Sequence, residues 1–266
     1  MNKFKKIIFL GTGSAMAEKA FNTCIAFLDE NNNCFLIDAG GGNSIFYHLK
    51  KTNIEITQLK NIFITHNHTD HILGILWIMR KFASITSDFI CNFYLSESVY
   101  NDLMQLCNIT ISKGQLNKAL EHIKFNIIHD SETFNINGNK ITFFDTLYEK
   151  TIQFGCKIES NNLKIGFCGD VPLLEENFLK LEEVDILIHE ALCDSINAEK
   201  HRVYKKGHST AKDAAKIAKQ IKAKKLLLIH KHDDYINNSN LYKDAISEFD
   251  GDVIVPEDGD IFNLEI

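Results

Sequence analysis

Three histidines and an aspartate crowd into six residues, His66-Asn67-His68-Thr69-Asp70-His71. The apolar run Ile62-Phe63-Ile64 lies just before them. Side chains alternate along a strand, so a strand end would deliver His66 and His68 to one side, and the turn that follows would present Asp70 and His71 at a helix start. Imidazole and carboxylate together suit zinc, and also manganese or iron. Histidine is scarce, at 11 of 266 residues, so this density points to a metal site rather than to a polar loop. Two further candidates also follow apolar strands: Asp170 after Phe167-Cys168-Gly169, and His230 after Leu226-Leu227-Leu228-Ile229. Each can project from the same sheet edge as the first cluster. Taken singly, a Gly-Asp is as readily a turn, and a strand-end histidine is more often a satisfied rim residue.

The elements that would hold these residues can be read from pattern. Strands are expected over Lys6–Leu10, Thr23–Leu28, Cys34–Ile37, Asn61–Thr65 and Phe89–Leu95, with helices over Asn43–Lys51, Ile72–Phe82 and Glu97–Cys107. Ser112–Lys124 reads as helix or strand. Further strands follow near Phe134–Ile136, Lys140–Asp145, Gln153–Glu159 and Leu163–Cys168. The second half then alternates: helix Leu173–Leu181, strand Asp185–Ile188, helix Ala211–Ile221, strand Leu226–Ile229, helix Asn240–Phe249, and strands near Asp252–Val255 and Ile261–Leu264. Meandering strands first, strands interleaved with helices later, describe an α/β protein whose sheets are covered by helices on their outer faces. With two prolines and no linker-like tract, one domain over residues 1–266 is expected.

Composition narrows the function. The chain is 45% hydrophobic and 24% charged, with a net charge of -6, so nucleic acid could be bound through a local patch or a metal site but not across a broad basic face. The seven cysteines are scattered and form no C-x-x-C, which reads as buried free thiols in a reducing cytoplasm. Asn2-Lys3-Phe4-Lys5-Lys6 and the four apolar residues after it fall short of a secretory core of about seven, so they read as an opening strand. No apolar run approaches the ~18 residues of a membrane span.

H-x-H-x-D-H after a buried strand resembles the signature of the metallo-β-lactamase superfamily, and the likeness continues in order along the chain. Phe9-Leu10-Gly11-Thr12-Gly13-Ser14-Ala15 with Asn22-Thr23, then Leu36-Ile37-Asp38-Ala39-Gly40, resemble the opening of its ribonuclease Z branch. Ile188-His189-Glu190-Ala191 and Gly207-His208-Ser209-Thr210-Ala211 resemble that branch's H-E-A and H-S-T segments. The resemblance implies a four-layer αββα sandwich and two divalent metal ions, zinc first and manganese or iron next. It makes His66 and His68 ligands of one metal, Asp70, His71 and His230 ligands of the second, and Asp170 the bridge. It implies hydrolysis by metal-bound hydroxide, with Asp70, His208 and Glu190 counted as catalytic: Glu190 would orient His208, which would give a proton to the leaving oxygen. Ser209 or Thr210 would also cap the next helix, with Asp213 completing a capping box.

One position departs from the pattern. The family's further histidine for the first metal is missing from Asp145-Thr146-Leu147-Tyr148-Glu149-Lys150. Tyr148 and Glu149 stand nearest its place; Glu149 or Asp145 could bind a metal, Tyr148 only as a phenolate, or the first metal is weakly held or absent. The implied function is a phosphodiesterase or ribonuclease Z-like nuclease. The alternatives are a thioester or lactone hydrolase, and a non-catalytic metal- or phosphate-binding protein with a degenerate first site. Gly155 and Asp170 are too close in sequence to hold the long tRNA-gripping arm of the branch. The partners expected are a phosphodiester or small-molecule substrate and a second copy of the chain, with no membrane. His189-Glu190 is not a zinc-protease motif, because Cys193 stands where the second histidine would be. Gly11-Thr12-Gly13-Ser14 lacks the end of a P-loop and reads as a turn by the metal mouth. Lys205-Lys206 is read as a solvated pair or a small phosphate-holding spot, and His48, His122, His129, His201 and His232 as ordinary surface histidines, His232 with the alternative of lining the site mouth.

Overall fold

A computed structural model describes residues 3–160 and 162–264. Its first sheet takes β1 (Phe4–Gly11), β2 (Cys24–Asp29), β3 (Cys34–Ile37), β4 (Leu59–Phe63), β5 (Cys91–Leu95) and β6 (Ile123–Ile127) side by side in chain order. Its second takes β7 (Thr133–Ile136), β8 (Asn139–Asp145), β9 (Phe154–Ser160), β10 (Leu163–Phe167), β11 (Ile186–Glu190), β12 (Lys225–Ile229) and β13 (Asp252–Ile254) in the same way. The last strand, β14 (Ile261–Asn263), returns to the first sheet and pairs antiparallel with β1. Each half begins as an antiparallel meander and ends in parallel strands, from β3 onward in the first and from β10 onward in the second.

Parallel neighbours need crossovers, and helices supply most of them. The first half uses α1 (Ile45–Lys51), α2 (Thr69–Phe82), α3 (Glu97–Thr110) and α4 (Lys113–Leu120). The second uses α5 (Ala198–His201), α6 (Val203–Lys206), α7 (Ala211–Gln220) and α8 (Asn240–Ala245). Strands buried on both faces read as continuous apolar runs rather than alternating ones. In β1, Ile7 and Phe9 face the other sheet while Ile8 and Leu10 face the helices. In β12, Leu227 and Ile229 face the other sheet while Leu226 and Leu228 face α7 and α8. The inter-sheet layer is rich in phenylalanine, including Phe27, Phe35, Phe63, Phe143 and Phe167. The result is the αββα sandwich that the sequence leads one to expect.

One segment left open is settled and two differ from expectation. Ser112–Lys124 resolves into α4 and the start of β6, whose Ile123-Lys124-Phe125-Asn126-Ile127 alternation is that of an edge strand exposed on one side. Leu173–Leu181 holds only a 3-10 turn over Glu175–Lys180. There Asn177 turns inward to donate to the Asp145 carbonyl at 2.9 Å, while Leu179 is left in solvent, so no apolar stripe supports a full helix. The short helices α5 and α6 break at Arg202, which has φ 53°, and have no periodicity to announce them. All seven cysteines are buried free thiols, and burial pushes them up, Cys107 and Cys193 to about 12. No helix among the described residues is long and apolar enough to cross a membrane.

A close approach of helix to turn lies next to the histidine cluster. Gly74 of α2 donates its N–H to the Gly40 carbonyl at 2.9 Å, and a Cβ there would stand 1.8 Å from the Ala39 carbonyl oxygen. Gly74→Ala must push α2 off the turn that follows β3. We expect it to destabilise the protein by about 1–3 kcal/mol, read as a lower denaturant midpoint; an unchanged midpoint would mean that α2 moves away freely.

Candidate metal centre

The ends of β3, β4 and α2 build one side of the centre around Asp38. Directly after β3, Asp38 adopts a left-handed backbone (φ 55°), uncommon for a residue with a side chain. Its buried carboxylate accepts from the Thr65 N–H at 2.9 Å, the Thr65 hydroxyl at 2.7 Å and His71 Nδ1 at 2.7 Å. His71 therefore carries its proton on Nδ1 and turns Nε2 inward, the arrangement by which a carboxylate fixes a metal-binding imidazole. Thr65 also meets His66 Nδ1 at 2.8 Å. His68 caps α2 in extended conformation, and Asp70 and His71 fill the helix's first turn, where the positive end of the helix dipole favours a carboxylate.

The second sheet supplies the other side. Past β10, Gly169 turns with φ 77° and presents Asp170. Past β12, His230 has φ 56°, and its Nδ1 meets the Thr23 hydroxyl at 2.9 Å. Asp170 Oδ2 becomes the hub, standing 3.5 Å from His66 Nε2, 3.4 Å from His71 Nε2 and 3.7 Å from His230 Nε2. Asp70 Oδ2 is 3.3 Å from His71 Nε2, and His66 Nε2 is 2.9 Å from His68 Nδ1. Two groups of candidate donors result, Asp70–His71–Asp170–His230 and His66–His68–Asp170, each with its atoms within 4.8 Å of one another.

The electrostatics match such a cluster. Burial pushes His66 down to about 4 and His230 down to about 3, which leaves them neutral and able to donate a lone pair. Burial would lower His71 as well, but the Asp70 and Asp38 carboxylates hold it well above the ordinary histidine value, so a cation at Nε2 would have to displace a proton there. Burial would raise Asp70 and Asp170, but His71 and His230 beside Asp70, and His66, His71 and His230 around Asp170, hold both below the usual carboxylate range. Asp70 Oδ2 and His71 Nε2 are buried with no hydrogen-bond partner. Orphaned buried polar atoms are costly, and a divalent cation between them would satisfy both. The donor set therefore fits such an ion.

His208 overlooks the cluster from the loop between α6 and α7. Its Nδ1 meets the Asp170 carbonyl oxygen at 3.0 Å, with Glu190 Oε2 at 3.7 Å, and its ring lies 5.3 Å from that of His230. Burial lowers His208 below the ordinary histidine value, and burial raises Glu190. Glu190 Oε1 accepts from the Ser209 N–H, while Oε2 has no hydrogen-bond partner. Thr210 and Asp213 form a reciprocal capping box on α7, so capping and the placement of His208 coexist. His189 is structural: its Nδ1 meets the Glu190 carbonyl oxygen at 2.7 Å and its Nε2 accepts from the Leu173 N–H at 3.2 Å. The centre opens into a pocket of about 410 Å³, counted out to its mouth, where Ala15, Tyr148, Thr151 and Lys206 join the residues above.

Next to the His66–His68–Asp170 group stands Gln153, which the motifs did not bring forward. Its Nε2 lies 3.0 Å from His66 Nδ1 and touches Asp170 Oδ1, while its Oε1 is buried with no hydrogen-bond partner. Gly169 makes room for it, since a Cβ there would meet the amide at 3.0 Å. Tyr148 lines the pocket but spends its hydroxyl on the Lys206 carbonyl at 3.2 Å, and the Asp145 carboxylate is taken by the Leu147 N–H at 2.8 Å. Glu149 is exposed and belongs to neither donor group. Asp38 and Gln153 are thus the two residues whose roles motif reading missed. Asp38 carried a signal, a polar residue ending an apolar strand before glycines; Gln153 carried none.

Fold and site together define a metallo-β-lactamase-fold protein with a buried cluster typical of that fold's metal-dependent hydrolases. Within that class, the chain belongs to the family described as Anti-Pycsar protein Apyc1, which it matches over residues 5–249. It is also similar to the ribonuclease Z of Natronomonas pharaonis, at 24% identity over 97% of each chain. Among solved structures it resembles the metallo-β-lactamase fold protein YhfI of Bacillus subtilis, with a TM-score of 0.77 and 20% identity over 98% of this chain and 99% of that one. It resembles the short form of human tRNase Z with a TM-score of 0.76 and 21% identity over 98% of this chain and all of that one (100%).

Because Asp38 sets the tautomer of His71, Asp38→Asn should weaken divalent-metal binding about 10- to 100-fold. Competition for zinc against a chromophoric chelator measures this, and equal affinity in both proteins would remove Asp38 from the centre's support.

Proposed function

We propose that this chain is a metal-dependent phosphodiesterase, ribonuclease Z-like in its site but acting on small phosphodiesters. The observation that carries this reading is His208, anchored by Nδ1 to the Asp170 carbonyl and backed by Glu190, with its ring over the donor cluster. In this proposal His66, His68 and Asp170 hold one cation, and Asp70, His71, His230 and Asp170 hold the other. Zinc suits the imidazole and carboxylate donors best, and the buried free thiols suit a cytoplasmic setting. When bound, the two cations supply Lewis acidity, neutralising charge at a phosphoryl group and acidifying water.

The chain's own residues do the rest. With Nδ1 tied back, His208 keeps Nε2 for the substrate side and, when protonated, gives that proton to the leaving oxygen. Burial, which lowers His208, makes its protonated form the stronger acid and its protonated fraction the smaller. Glu190 Oε2, 3.7 Å behind, backs the ring and holds its orientation. Lys206 at the mouth adds a positive charge for the phosphate, and Gln153 steadies His66 and Asp170. The curated relative's name, a ribonuclease, supports phosphodiester chemistry.

Gln153 also favours a second reading, a protein that binds one metal without turnover, because an amide stands beside His66 and, among the described residues, no third imidazole joins His66 and His68. Hydrolysis of bis(p-nitrophenyl) phosphate with added zinc or manganese, beside thioester and lactone substrates and a panel of cyclic nucleotides, separates the readings. Phosphodiester turnover is expected. Its absence from a metal-loaded protein supports the second reading, and turnover of thioester or lactone alone moves the chain to that class. His208→Ala should lower kcat by about 10²–10⁴ and leave metal content intact; loss of metal would make His208 a ligand or a structural residue instead.

A further inference from the structure

We propose that His201, His232 and Asp234 form a separate binding site for a borderline-soft divalent cation such as zinc, outside the central cluster. His201 is the last residue of α5 and only 6% exposed, so it is not the surface histidine that its sequence suggests. Its Nε2 is buried with no hydrogen-bond partner and stands 3.7 Å from Asp234 Oδ2. The same carboxylate oxygen is 3.7 Å from His232 Nδ1, and the two imidazole rings are 4.3 Å apart. One ligand atom from each of the three residues lies within 4.8 Å of the others.

Metal geometry explains the spacing. Ligands at about 2.1 Å from a tetrahedral zinc stand about 3.4 Å from one another. Two of the three separations, at 3.7 Å, are within a small side-chain adjustment of that value, and the third lies within 4.8 Å. Two imidazoles and one carboxylate select zinc, copper or nickel over magnesium or calcium, which prefer all-oxygen shells. Binding satisfies the orphan nitrogen of His201, a group that otherwise has no reason to be buried here. Asp234 is 46% exposed and His232 36%, which gives the ion a way in and leaves its remaining position to water.

Two interactions compete with the cation. Lys200 Nζ holds Asp234 Oδ2 at 2.9 Å, and the Asp234 N–H donates to His232 Nδ1 at 3.2 Å. The first is a solvent-exposed ion pair, of the sort that contributes little. The second is long, and His232 gives it up if it ligates through Nδ1. A cation here ties α5 to the loop after β12. His230 lies two residues upstream on that loop, and α5 leads through α6 to His208. The site braces the loops that carry both residues without belonging to the centre.

The test is zinc titration of the folded, metal-stripped protein in competition with a chromophoric chelator, comparing wild type with Asp234→Asn and His201→Ala. Wild type should bind one equivalent more than either variant. Asp234→Asn alters an exposed residue, so it keeps the comparison valid if His201→Ala fails to fold. Lys200→Ala removes the competing ammonium and should tighten that extra equivalent about two- to fivefold. The same stoichiometry in wild type and Asp234→Asn overturns the proposal, whatever the central cluster binds.

Discussion

The Asp38 carboxylate is the interaction on which the rest of this structure depends. It is a buried charge, and a buried charge is tolerated only when it is paired and hydrogen-bonded. Here the backbone and hydroxyl of Thr65 and the ring of His71 meet that demand together. The same three contacts tie the end of β3 to the end of β4 and to the first turn of α2. They also decide which nitrogen of His71 is left to face Asp70 and Asp170. The left-handed backbone at Asp38 costs about 1–3 kcal/mol, a strain held in place by those bonds and by α2 packing on the next turn through Gly74.

The cluster is divided between two kinds of scaffold. His66, His68, Asp70 and His71 come from one short stretch, locked by Thr65 and Asp38, so their positions are set largely by local geometry. Asp170, His230 and His208 come from separate loops of the second sheet, each steadied by a different device. Asp170 follows a glycine turn, His230 leans on Thr23 from the first sheet, and His208 sits just before a capped helix. Variation in chemistry is easier on the second side, where one loop can change without disturbing the others. Gln153 belongs to that side.

The layers and the first cluster were legible in the sequence for physical reasons. Strands covered on both faces leave unbroken apolar runs, as at Ile7–Leu10 and Leu226–Ile229, and a candidate donor cluster that falls within one turn leaves its residues adjacent in sequence. Asp170 and His230 were legible only as an ordered set, because each alone follows its strand as an ordinary turn residue would. Asp38 showed only as a polar residue ending an apolar strand; its role was hidden, since its partners at 65 and 71 reach it only through tertiary structure. Gln153 was hidden because an amide carries no metal signature and because it lies outside the stretch 145–150 where the family's histidine would fall. The burial of His201 could not be read either: it follows from a four-residue helix whose pattern is too short to show which face turns inward.

The shared oxygen of Asp170 has a consequence for folding as well as for chemistry. Its three imidazole neighbours lie 104, 99 and 60 residues away in sequence, counting from 170 to 66, 71 and 230, and two of the three come from the other sheet. No partly folded chain with the sheets apart can assemble this group. Contacts so distant in sequence close late and slowly. An ion held there belongs to the native state alone, so by mass action it acts as a reversible staple between the two halves of the sandwich. The mechanical union of the sheets and the completeness of the centre are then one equilibrium observed from two ends.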